Sequence, residues 1–177
     1  MKQKLLLILM LVSFCSGVFA QGSATRNGTI VVTDMNSIFS TRGTGSARMS
    51  NAGTMNVERL KVLVDQVQSS VYYYSGEAKT YGDVPTNLYT DIGSLGQLNN
   101  SITSKQSIEI VTININTASE VNSTIDLAAF SNFPNLKYIY FVSSQNTTSE
   151  NIANHIVNYD NRFNLFYKIA KGDSRNQ

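Results

Sequence analysis

Three apolar runs constrain this chain more than any other feature: Ile108–Ile115 (IEIVTINI), Leu136–Val142 (LKYIYFV) and Phe163–Ala170 (FNLFYKIA). Each is apolar on both faces over most of its length. That pattern predicts strands of a parallel sheet covered on both sides, since a hairpin strand with one wet face alternates apolar and polar residues. The connections, 117–134 and 143–162, are too long for hairpin loops and long enough for crossovers. The second carries a helix signal: Thr147 and Glu150 at capping-box spacing, followed by Ile152, Ala153, Ile156, Val157 and Tyr159 on one side. The first carries Leu127–Phe130, a short helical turn that must stop before Pro134. The expected fold class is therefore α/β, a small, mostly parallel sheet with right-handed βα crossovers.

Upstream, Asn56–Ser70 reads as a helix. Asn56 supplies a cap, and Val57, Leu60, Leu63, Val64 and Val67 recur at three- and four-residue steps. Val71–Tyr74 (VYYY) follows as a strand ended by Ser75-Gly76. Strand alternation places Tyr72 and Tyr74 on one side and Tyr73 on the other. Residues 21–55 read as a flexible Gly/Ser/Thr/Asn-rich segment in which only Thr29–Thr33 suggests a strand. A single α/β domain is expected over 56–171, with a tail at 172–177.

Composition narrows function mainly by exclusion. Of 177 residues only 15% are charged, against about 25% in an average soluble domain. Asn, Ser and Thr supply the polarity instead, 53 of them in residues 21–177. Lys2 and Lys4 aside, 12 basic residues face 12 acidic ones. This neutrality argues against nucleic acid as a partner. One Cys and one His argue against a disulfide scaffold and a thiolate metal site. No cofactor motif is present: Gly43-Thr44-Gly45 lacks the Gly-Lys-Ser/Thr continuation of a phosphate loop.

Met1–Ala20 has two lysines, the ten-residue apolar run Leu5–Phe14, and Val18-Phe19-Ala20 before Gln21. This is the pattern of a secretory signal peptide cleaved after Ala20, and the run is too short to span a membrane. The expected location is secreted, periplasmic or cell-surface, with no transmembrane segment in the mature chain. A lipid-anchored alternative runs through Cys15, although the bulky Phe14 occupies the site where a lipidation signal takes a small residue.

The segment Ile125–Phe141 (IDLAAFSNFPNLKYIYF) resembles one unit of a leucine-rich repeat, a short helical piece and a Pro-Asn-Leu-Lys turn leading into a strand. Phe130, Phe133, Leu136, Ile139 and Phe141 would be its inward positions. Val84–Leu98 (VPTNLYTDIGSLGQL) resembles part of a second unit, with Ile92, Leu95 and Leu98 preceding Phe130, Phe133 and Leu136 by a constant 38 residues. The resemblance covers at most 84–170 and implies a short repeat-like stack that binds on its strand-lined face. The Asn-rich, weakly charged composition and the VFA–Gln junction also resemble exported proteins of Bacteroidetes-type bacteria.

These readings favour an exported, non-catalytic binding or interaction protein whose partner is a protein or a glycan at the cell surface. Two candidate sites follow. One is the polar loop Ser143, Ser144, Gln145 and Asn146 at the carboxyl end of a strand, where parallel sheets gather ligands. The other is an aromatic platform built on Tyr72 and Tyr74. The alternative is a small secreted hydrolase using scattered acid/base groups, Asp83, Asp91, Asp126 and His155. No catalytic or metal-binding constellation is assigned.

Overall fold

The computed structural model describes residues 29–40 and 55–170. The signal-peptide pattern, Cys15, the tail at 172–177 and most of the 21–55 segment lie outside the described residues.

In chain order the elements are β1 (Val32–Asp34), α1 (Met35–Ser40), α2 (Val57–Asp65), β2 (Ser70–Tyr74), β3 (Glu77–Tyr81) and β4 (Asn87–Asp91). A 3₁₀ turn (Ile92–Gln97) and α3 (Leu98–Ser101) lead to β5 (Ile110–Ile115). Then come α4 (Ala118–Val121), β6 (Ile125–Asp126), a second 3₁₀ turn (Leu127–Phe130), β7 (Tyr138–Ser143), α5 (Ser149–His155), β8 (Ile156–Val157) and β9 (Asn164–Ile169). Seven strands form one sheet in the order β1-β9-β7-β5-β4-β2-β3, and β6 pairs with β8 separately. Every neighbour in the large sheet is parallel except the β2–β3 hairpin.

The three apolar runs form the central strands, parallel as their two-sided apolarity requires. Cross-strand partners share a face, so the register defines both faces. On one face Val71, Leu88, Val111, Ile139 and Leu165 form a continuous row. The crossovers bury Leu95, Leu98, Leu127, Phe130, Phe133 and Ile152 against this side in the larger core. All five inward positions expected from Phe130 to Phe141 are buried in it. On the other face Met35, Leu60 and Leu63 pack on Ile110, Tyr138, Tyr140 and Phe166 in a second core.

The structure corrects several expectations. Residues 32–40 do not belong to a loose segment: β1 pairs with β9 at the sheet edge and Met35 is buried. Helix α2 keeps its Asn56 cap but stops at Asp65, because Gln66 turns extended (φ −109°, ψ 150°) to feed β2. Val67 is therefore off the helix and exposed. The crossover helix is capped by Thr148, whose hydroxyl accepts from Asn151 N, one residue later than the Thr147–Glu150 pairing. It ends at His155, so Ile156 and Val157 are strand rather than helix. The true capping box is Thr117 with Glu120. The segment 84–98 runs strand first and helical turn second. Its 38-residue offset is not a step of the sheet, whose pairs Asn87↔Ile110, Ile110↔Tyr138 and Tyr138↔Asn164 advance the chain by 23, 28 and 26 residues.

Candidate functional site

The expected sites meet different fates. Ser144 donates its hydroxyl to Asn116 O (3.0 Å), and Gln145 Nε2 donates to the same carbonyl (3.0 Å). Ser143 is buried, donates to Gln145 O at 2.9 Å and accepts from Gln145 N at 3.1 Å. These bonds stitch the end of β7 to the end of β5, and Asn146 is exposed.

Three of the four acid/base candidates are occupied locally. Asp91 accepts from Ser94 N (2.8 Å) and caps the first 3₁₀ turn. Asp126 accepts from Ala128 N (2.9 Å) and Asn158 Nδ2 (2.8 Å). His155 donates from Nδ1 to Asn151 O (2.7 Å) within its own helix. Asp83 is exposed between β3 and β4. Among the described residues no three His, Cys, Asp or Glu side chains gather as a metal site.

The tyrosines come together. Tyr72 pairs with Tyr89 across the parallel β2–β4 ladder, and the rings stack at 4.8 Å with 13° between planes. Tyr81 meets Tyr72 edge-on at 5.5 Å and 88°. The hairpin makes this possible. Ser75 and Gly76 both take positive φ (52° and 85°), the geometry of a tight two-residue turn, and fold β3 back along β2. Ser70 then faces Tyr81, and Tyr72 faces Lys79. Tyr72 is 40% exposed and Tyr81 60%.

Two hollows flank this cluster. The first, about 370 Å³, lies among Val67, Gln68, Ser70, Tyr72 and Tyr81. The second, about 260 Å³, lies between α2 and the sheet and is lined by Leu63, Val64, Tyr89, Thr112, Asn114 and Tyr140, among others. Asn114 donates to the Tyr74 hydroxyl at 2.8 Å. Burial raises the Tyr74 pKa, the Asn114 bond opposes that, and the charge of Asp91 adds to the rise. The phenol is therefore a neutral hydrogen-bonding group at ordinary pH.

Sequence reasoning placed Tyr72 and Tyr74 on one face but missed Tyr81, Tyr89 and Asn114. The alternation Leu88-Tyr89-Thr90 was a usable strand signal. β3 offered none, since all five of its residues are exposed.

No protein-family model, curated protein or solved structure matches this chain.

Proposed function

We propose that this chain is an exported, non-catalytic binding protein whose partner lies on the open tyrosine half of the sheet. The observation that carries the reading is the cluster Tyr72–Tyr81–Tyr89, stacked, partly exposed and bordered by two hollows. Stacked tyrosines offer large contact area with few rotors to freeze, as binding surfaces favour. A repeat-like βα array is the architecture this reading draws on, supported by β4, β5, β7 and β9 lying side by side in chain order. The signal-peptide pattern of Met1–Ala20 supports export, and no described helix is long and apolar enough to cross a membrane.

The chain has no Trp, so its intrinsic emission comes from its nine tyrosines, and the part that this face contributes is isolated by comparison with Tyr72→Ala. Titration with a panel of neutral glycans and uncharged peptides is expected to give a saturable change that Tyr72→Ala removes. A panel in which every saturable response survives Tyr72→Ala rules this face out. Intact mass of the exported form checks its processing: a start at Gln21 fits cleavage after Ala20, whereas acyl mass on Cys15 would make the protein lipid-anchored.

A further inference from the structure

We propose that the ligand of this face is a neutral glycan, with one sugar ring seated in the hollow between the Tyr72–Tyr81 pair and the Val67–Ser70 segment. The inference rests on the binding reading above and names its ligand class. Its geometry starts where α2 ends. Because the chain turns extended at Gln66, Val67 and Gln68 pass beside the hairpin instead of continuing the helix. They wall a hollow of about 370 Å³ whose floor is Ser70, Tyr72 and Tyr81. That volume lies near the lower end of the roughly 300–1,000 Å³ of small-ligand sites.

The lining has two chemical characters and no charge. Val67, Tyr72 and Tyr81 offer apolar and aromatic surface, which matches the C–H faces of a pyranose. Gln68 Nε2 donates to Val62 O at 3.4 Å and Ser70 Oγ donates to Gln68 O at 2.8 Å, which leaves the Gln68 amide oxygen and second N–H, and the Ser70 lone pairs, to meet sugar hydroxyls. Further along the same face, Asn114 and Tyr74 repeat this neutral pairing. The two hollows lie on either side of the stacked Tyr72–Tyr89 pair. Strands stand about 4.8 Å apart, so an oligosaccharide crossing them meets a new side chain roughly once per sugar.

A polypeptide fits less well. Strand addition would use the free edge of β3, but that edge carries Glu77 and Lys79, the charged residues that blunt exposed edges. A side-chain anchor needs a deep, water-excluding pocket, whereas Tyr72 and Tyr81 both remain substantially exposed. An acidic ligand would find one cation opposite Tyr72, Lys79, with Glu77 two residues away on the same strand face.

The platform is ready before binding. Tyr72 is held on one side by Tyr89 and braced by Tyr81, so ordering it on association costs little.

The test is affinity electrophoresis of the full chain through gels containing barley β-glucan, galactan, xylan or mannan, with pectin as the anionic control. Titration with the matching hexasaccharide follows. At least one neutral polysaccharide is expected to retard the chain, to the same extent at low salt and at high salt. Aromatic contacts of about 1.4 kcal/mol at Tyr72 and about 1 kcal/mol at Tyr81 predict losses of about tenfold for Tyr72→Ala and about fivefold for Tyr81→Ala. Tyr81→Phe keeps the ring and should stay within about twofold of the parent on the same scale. Gln68→Ala should weaken binding severalfold without altering the tyrosine emission of the free protein.

No retardation in any neutral gel, with the variants folded by circular dichroism, overturns the glycan assignment. If an uncharged peptide then binds and Tyr72→Ala abolishes it, the binding face stands and only its ligand class falls. Retardation in pectin alone, lost with salt, also overturns the neutral assignment. Glycan binding unchanged in the Tyr72→Ala, Tyr81→Ala double variant overturns the site, and with it the function assigned to this face.

Discussion

Over β5, β7 and β9 one face of the sheet lies under α1 and α2, and its tyrosines are core: Tyr138 is 2% exposed and Tyr140 8%. Over β2 and β3 the same face presents Tyr72 and Tyr81 to solvent. The register joins the halves directly, since Tyr72, Tyr89, Thr112, Tyr140 and Phe166 stand on one continuous row. Residue type therefore does not decide the role of a tyrosine here. What decides it is where α2 stops, and α2 stops where the chain must descend to start β2. The covered half is fastened by side chains that reach down from the helix. Arg59 holds Glu109 with Nε and Nη2 at 3.1 and 2.5 Å, and the Tyr138 hydroxyl donates to Asn56 O at 3.3 Å. At the border of the open half Asn87 on β4 donates from Nδ2 to Leu63 O at 2.8 Å, and Asn114 donates to the Tyr74 hydroxyl at 2.8 Å.

The largest test of this contrast removes packing from each half in turn. Leu63→Ala empties a fully buried site beneath α2 and should cost about 2–5 kcal/mol in urea unfolding. Tyr81→Ala, on the open half, should cost no more than about 1 kcal/mol, since it removes mainly one edge-on ring contact. Equal losses would mean that the open half is as structural as the covered half.

Alkaline titration comes next. Burial, assisted by the charges of Asp34 and Asp65, pushes the Tyr140 pKa from 10.0 up to about 12. Between those values the unfolded chain releases this proton and the folded chain retains it, so stability falls as pH rises. The contribution is intact below pH 10 and is lost progressively towards pH 12, about 1–2 kcal/mol in all once solvent screening through the adjoining hollow is allowed for. Tyr140→Phe should flatten that part of the stability–pH curve. An unchanged slope would show that the covered half admits water to its phenols.

Glu109→Gln should have a smaller effect. The pair is partly exposed, 35% for the Arg59 side chain and 23% for Glu109, so about 1 kcal/mol is expected despite its two-point geometry. The loss should shrink in high salt. A swing of α2 would reshape both hollows, since Leu63 and Val64 line one and Gln68, whose amide donates to Val62 O, lines the other.

The same contrast explains what could be read from the sequence. β5, β7 and β9 are buried on both faces, so apolar runs announced them, and their length excluded hairpin connections. β3 and β4 were hidden for opposite reasons. EAKTY is exposed throughout and has no apolar period, whereas NLYTD is short and was absorbed into a repeat-like pattern. Val67 continued the helical period of α2 by coincidence, and no Gly or Pro marked the true end at Asp65. The face shared by Tyr72 and Tyr74 follows from alternation alone. Their partners do not, because Tyr81 and Tyr89 reach Tyr72 through strand pairing, and register is a tertiary property. The Ser143–Asn146 loop lay at the correct end of a strand, but the Asn116 carbonyl that engages it belongs to the preceding crossover.

The smallest prediction uses the reverse side of the open half. Thr90 lies on β4 between Tyr89 and Asp91, with its side chain turned into the larger core, fully buried, and its hydroxyl has no hydrogen-bond partner. An unpaired buried hydroxyl carries a desolvation cost that a methyl group of the same shape does not. Thr90→Val keeps β-branching and volume while removing that cost, so unfolding should require about 0.5–1 kcal/mol more. Because Tyr89 projects from the opposite face, the stack on Tyr72 and every ligand response tied to it should be unchanged. A stabilised variant with intact binding would show that the open face draws its binding surface from β4 without drawing on the core behind it. A stabilised variant with weakened binding would mean that the tyrosine cluster depends on looseness in the strand that carries it, and the two faces of the open half would then have to be treated as one coupled unit.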